Sequence, residues 1–105
     1  MAVRVNESNF DNEVLKAKKL VLVDFYSDSC VPCKQISPIL GDLEEEYSDK
    51  IKVVKVNVNF DESLAKNYEV MVSPTILFIK NGEEKSRIRG LKKKAELEEI
   101  INAIL

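Results

Sequence analysis

The run Leu20-Val-Leu-Val-Asp-Phe-Tyr26 constrains the fold of this chain more than any other segment. It is rich in β-branched and aromatic residues and is broken only at Asp24. A strand with one wet face alternates apolar and polar residues. A nearly continuous apolar run of strand length instead belongs to a strand covered on both faces, as in parallel sheets flanked by helices. It is far shorter than the ~20 residues that a membrane span takes.

The flanking pattern supplies the covering layers. Val3-Arg4-Val5 alternates as a short strand, and Ser8 and Asn9 are placed to cap a helix carrying Phe10, Val14, Leu15 and Ala17. Ile36, Ile39, Leu40 and Leu43 fall at helical spacing, with Pro38 inside that helix, where it is expected to bend it. Residues 51–58 read as a β-branched strand, and residues 61–68 as a short helix with Asp61 at its start. Thr75–Ile79 and Glu84–Arg89 flank Asn81-Gly82, the strongest two-residue signal for a type I′ hairpin turn. A last helix puts Leu97, Ile100, Ile101, Ile104 and Leu105 on one stripe, although Lys92, Lys93 and Lys94 at its start suit neither capping nor the helix dipole. The order β-α-β-α-β-α-β-β-α calls for parallel crossovers and one antiparallel pair. The expected fold class is α/β, with a central mixed five-stranded sheet flanked by four helices. With no repeat, linker or charged tail, residues 1–105 read as a single domain.

Composition narrows the chemistry. Sixteen Lys and Arg against eighteen Asp and Glu give a net charge of −2, without the basic surplus that nucleic acid or an anionic membrane attracts. Met1 to Glu7 has no apolar core of a secretory signal, so the cytoplasm is the expected compartment. The chain has no His, which excludes Ser-His-Asp and Cys-His catalysis and His-ligated zinc. Its two cysteines fall together as Cys30-Val31-Pro32-Cys33, too close to staple a secreted fold. Zinc or an iron–sulfur cluster usually takes four such ligands, which only a symmetric oligomer would complete, so no metal is expected. Two inert buried cysteines are the bland alternative. A redox pair is the favoured reading.

The pair follows the carboxyl end of the central strand and opens a helix, the junction where sites form in open α/β sheets. Unpaired N–H groups and the positive end of the helix dipole converge there and stabilise a thiolate, so Cys30 is expected to be the more acidic thiol. Cys33, one turn into the helix, is then the resolving thiol. Pro32 suits the first turn and stiffens the loop between the sulfurs. Asp24 has two readings. It either turns outward at the strand end or is a buried carboxyl of raised pKa that takes the Cys33 proton. Lys55 on a neighbouring strand is either its partner or a solvated strand lysine. The bond before Pro74 is either an ordinary trans bond or a cis bond that presents the Ser73 backbone to an extended substrate.

The Val-Asp-Phe before the pair, Cys30-x-Pro32-Cys33-Lys34, Pro38, Lys55, Ser73-Pro74-Thr75, Asn81-Gly82 and Gly90 together resemble the thioredoxin family over essentially the whole chain. The resemblance implies a thioredoxin fold and a protein dithiol–disulfide oxidoreductase whose only redox group is the Cys30–Cys33 disulfide. It makes Asp24 the buried proton acceptor and Pro74 a cis-proline facing the disulfide. It also makes the Ser73 and Gly90 backbones part of the substrate groove. A flavin-dependent thioredoxin reductase is the implied electron donor and disulfide-bonded proteins the acceptors, with no nucleic acid or membrane partner and a monomeric chain. The family usually has Trp-Cys-Gly-Pro-Cys. Here Ser29 and Val31 replace the Trp and Gly, so Ser29 is expected to alter substrate contact and Val31 the redox poise. A reductant dedicated to one client and a binding or chaperone module with incidental cysteines are the alternative functions.

Overall fold

The computed structural model describes residues 3–105. Five strands form one sheet: β1 (Val3–Arg4), β2 (Leu20–Tyr26), β3 (Ile51–Asn57), β4 (Thr75–Lys80) and β5 (Glu83–Arg89), in the order β1-β3-β2-β4-β5. The apolar run is therefore the central strand. It runs parallel to β3 and antiparallel to β4, which makes the sheet mixed. Three α-helices, α1 (Val31–Glu46), α2 (Glu62–Asn67) and α3 (Lys94–Ile104), and a π-helical turn at Asp11–Leu15 are the other elements among the described residues.

Residue parity along β2 divides the core. Val21, Val23 and Phe25 pack with Phe10, Val14 and Leu64 on the face covered by the π-helical turn and α2. Leu20 and Leu22 pack with Ile36, Leu40 and Leu43 of α1 and Leu97 and Ile101 of α3 on the other. Side chains two apart share a face, so Asp24 continues the Leu20–Leu22 side beneath α1. Ile51 and Val53 lie on the same side, and so does Lys55, which pairs in register with Asp24.

Several local expectations change in detail. The first helix is π-helical, with the Lys16 amide donating to the Asp11 carbonyl at 2.9 Å. Ser8 and Asn9 do not cap it in the expected way. Asn6 Oδ1 accepts from the Ser8 and Asn9 amides at 2.9 and 3.3 Å, and Asn9 Oδ1 accepts from the Asn6 amide at 2.8 Å, so the short carboxamides meet the free donors one turn earlier. Helix α1 runs from Val31 to Glu46 with Pro38 inside it, as the spacing of its apolar residues implies. At the start of α3 the Glu96 carboxylate accepts from the Lys93 amide, and Lys94 pairs with Glu46 of α1, which offsets the lysine cluster. The hairpin turn is as its two residues dictate, with φ of 54° at Asn81 and 78° at Gly82.

Candidate functional site

Strand register gathers the site at one end of the sheet. Thr75 of β4 lies opposite Phe25 of β2, and Arg89 of β5 lies opposite Thr75. The residues just outside these pairs, Pro74 and Gly90, therefore stand at the same end as the segment from Tyr26 to Cys30. The loops there are latched together. Asn57 Nδ2 donates to Asp28 Oδ1 at 2.9 Å, the Asp28 amide donates to Asn59 Oδ1 at 3.1 Å, and the Asn59 amide donates to Asn57 Oδ1 at 2.8 Å. This fixes the approach to the cysteines.

Cys30 is the residue immediately before α1, with extended backbone angles, and Val31 and Pro32 begin the helix. The Cys33 amide donates to Cys30 Sγ at 3.1 Å. A sulfur here occupies the position that a Ser or Asp side chain takes in helix capping, where a free N–H and the helix dipole both favour negative charge. The two sulfurs are joined in a disulfide with the Cα atoms 5.2 Å apart. Their exposures differ little, 9% against 5%, so helix position rather than burial distinguishes them. Val31 between them is 63% exposed, and Ser29, Pro32 and Lys34 are exposed as well.

Asp24 points inward. It is 1% exposed and its Oδ1 has no hydrogen-bond partner among the described residues. Burial pushes its pKa up from 3.8 to about 6, with the Lys55 charge opposing. Lys55 is half-buried on the neighbouring strand and does not bond to Asp24. Its Nζ donates to Ser37 Oγ of α1 at 2.8 Å and sits 5.5 Å from the centroid of the Tyr26 ring. A cleft of about 490 Å³ opens this cluster to solvent and is lined by Asp24, Tyr26, Cys33, Lys34, Ser37, Pro38 and Lys55 together with Ser27 and Asp28. A cleft of about 770 Å³ between α2 and β5 contains neither cysteine nor Asp24.

The Ser73–Pro74 bond is cis. Pro74 is buried and Ser73 half-buried. The Pro74 carbonyl accepts from the Gly90 amide at 2.8 Å, which holds the two segments together. Gly90 has φ of +81°, a conformation open to glycine at little cost. Thr75 Oγ1 donates to the Val72 carbonyl at 2.7 Å and closes the turn.

The structure thus brings Asp24, Cys33 and Lys55 into one cleft, joins Pro74 to Gly90, and leaves Ser29, Val31 and Pro32 on the rim beside Cys30. Sequence reasoning passed over Ser37, which with Tyr26 holds Lys55. The spacing of four between Cys33 and Ser37, which puts both on one side of α1, was the available signal. It also passed over Met71, Val72 and Leu91, exposed apolar residues next to Ser73 and Gly90; no periodicity marks single apolar residues in loops.

Among the described residues no group of three or more Cys, Asp or Glu is placed to hold a metal, and no helix is long and apolar enough to cross a membrane. The family model described as Thioredoxin matches residues 1–103. The thioredoxins of Rickettsia felis and Rickettsia prowazekii are each 39% identical to this chain over 102 residues, covering 97% of it and 97% of the relative. An M-type chloroplastic thioredoxin of Pisum sativum is 42% identical over 95 residues, covering 90% of this chain and 55% of the relative.

Proposed function

This chain belongs to the thioredoxin family, and from that membership we propose how its residues divide the work of a protein dithiol–disulfide oxidoreductase. The Cys30 thiolate attacks one sulfur of a client disulfide, a Cys30–client bond forms, and the first client sulfur leaves as a thiolate. Cys33 then attacks Cys30 Sγ while its proton passes to the Asp24 carboxylate. The Cys30–client bond breaks, the second client thiolate leaves, and the Cys30–Cys33 disulfide closes. The client gains two electrons and the pair loses them. A flavin-dependent thioredoxin reductase is the proposed donor that restores the dithiol.

The observation that carries this assignment is the Cys33 amide donating to Cys30 Sγ at the start of α1, because the same N–H stabilises a thiolate there. Val31, Pro32 and Lys55 tune the pair. Ser29, Ser73, Pro74 and Gly90 meet the client, which runs extended along the Ser73 backbone. Residues 1–105 act as one monomeric domain in the cytoplasm.

Reduction of insulin disulfides in the presence of a thioredoxin reductase tests the scheme. The protein should turn over, Cys30→Ser should abolish activity, and Cys33→Ser should accumulate a mixed disulfide. Activity surviving Cys30→Ser would overturn the reading and favour a binding module. In the reduced protein at neutral pH, iodoacetamide should label Cys30 and spare Cys33; equal labelling would contradict the roles. The exposure of Val31 beside Cys30 favours one second reading, a reductant dedicated to a single client, for which insulin would be a poor substrate.

A further inference from the structure

We propose that Ser37 is a positioning residue for proton transfer at Asp24: its hydroxyl, with the Tyr26 ring, holds the Lys55 ammonium away from the carboxyl. The proposal rests on the reading of Asp24 as the proton acceptor for Cys33. Asp24 and Lys55 are register partners on adjacent parallel strands and share a face, and such strands lie only about 4.8 Å apart. A flexible ammonium at that position has a nearby carboxylate to pair with. It does not do so. Lys55 Nζ donates to Ser37 Oγ at 2.8 Å and lies over Tyr26, while Asp24 Oδ1 is buried without a hydrogen-bond partner among the described residues.

Ser37 is four residues beyond Cys33 on α1, so one face of one helix carries both the resolving sulfur and the group that restrains the lysine. The other titratable or charged groups around the cleft are Tyr26 and Asp28 from β2 and the loop after it, Cys33 and Lys34 from α1, and Lys55 from β3. Ile76 of β4, opposite Asp24, adds no charge. An ammonium in contact would lower the affinity of the carboxyl for a proton by ~1–3 pKa units and make it a weaker base toward a thiol. Ser37 keeps the cation near enough to limit the burial penalty and too far to form the ion pair.

The test is a carbon-13 NMR titration of the Asp24 carboxyl in the oxidised protein, where the cysteines do not titrate. Ser37→Ala should free Lys55 and lower the midpoint by roughly one unit or more. Ser37→Thr, which keeps the hydroxyl, should restore it. An unchanged midpoint in Ser37→Ala, or a fall that Ser37→Thr does not reverse, overturns the role of Ser37 and leaves Asp24 as proton acceptor untouched. The underlying reading is tested separately by stopped-flow release of the second thionitrobenzoate from 5,5′-dithiobis(2-nitrobenzoate). Asp24→Asn should slow this resolution step about 10²-fold and leave the first release unchanged. A resolution rate unaffected by Asp24→Asn overturns the reading itself, whatever the titration gives.

Discussion

Replacing Asp24 by Asn should stabilise the oxidised protein, and by an amount that depends on pH. The carboxyl is buried, and its pKa stands at about 6 against 3.8 for the free group. The folded state thus holds this proton more tightly than the unfolded chain does. The stability linked to that proton is fully present below about pH 4 and is lost as pH rises through about 6. At about 1.4 kcal/mol for each tenfold difference in proton affinity, ionised Asp24 costs the folded state roughly 3 kcal/mol at pH 8. Asn has nearly the same shape and no charge. Urea unfolding followed from pH 4 to pH 8 should therefore show the two proteins close at the acid end, with the variant gaining about 3 kcal/mol by pH 8. With a urea dependence of ~1–3 kcal/mol per molar for a small protein, the midpoints should separate by roughly 1–3 M. Every other carboxylate is common to both proteins and cancels in the difference. The disulfide keeps the cysteines silent. A difference that stays flat from pH 4 to pH 8 would refute the claim that burial raises this carboxyl.

Lys55→Met removes the cation that opposes the burial of Asp24, so the carboxyl titration should move above pH 6, opposite to the effect of Ser37→Ala. Phe78 of β4 is fully buried in the core cluster that the sheet shares with α1 and α3, and Phe78→Ala should cost ~3–5 kcal/mol in urea unfolding. Gly82 has φ of +78° and a Cβ placed on it would lie 3.2 Å from the Leu15 carbonyl oxygen; Gly82→Ala should destabilise by about 1 kcal/mol or more in the same assay.

What the sequence disclosed and what it withheld follows from how locally each feature is determined. Leu20–Tyr26 is legible as a central strand because coverage on both faces leaves no polar alternation. Asn81-Gly82 is legible because its positive φ values are a property of those two residues alone. Cys30 at the head of a helix is legible from the proline that follows and the periodicity beyond it. Asp24 stays ambiguous in sequence, because its burial depends on α1 passing over that end of β2. The π-helical turn at Asp11–Leu15 is hidden because apolar spacing reports which side chains face the core and says little about whether an amide reaches back four residues or five. Ser37 looks like any serine in a helix. The contact it makes arises only when β3 delivers Lys55 beneath it.

The same face of the sheet explains why the chemistry sits where it does. Along β2 the positions facing α1 are Leu20, Leu22 and then Asp24; along β3 they are Ile51, Val53 and then Lys55. Both strands carry apolar residues until they reach the cleft that Cys33 also lines, and both then change to charge in the same row. A leucine at position 24 would contribute about 1.5–3 kcal/mol of burial and would remove the ionisation penalty. Together these are a large share of the 5–15 kcal/mol by which such domains are stable. With Asp24 in its proposed role, the row is the place where fold stability and proton transfer conflict. An ion pair between Asp24 and Lys55 would ease the first at the expense of the second. With Lys55 held against Ser37 and Tyr26, the Asp24 carboxyl is left without that ion pair, and the pKa of about 6 that burial gives it suits the role proposed above, accepting the Cys33 proton during attack and releasing it afterwards.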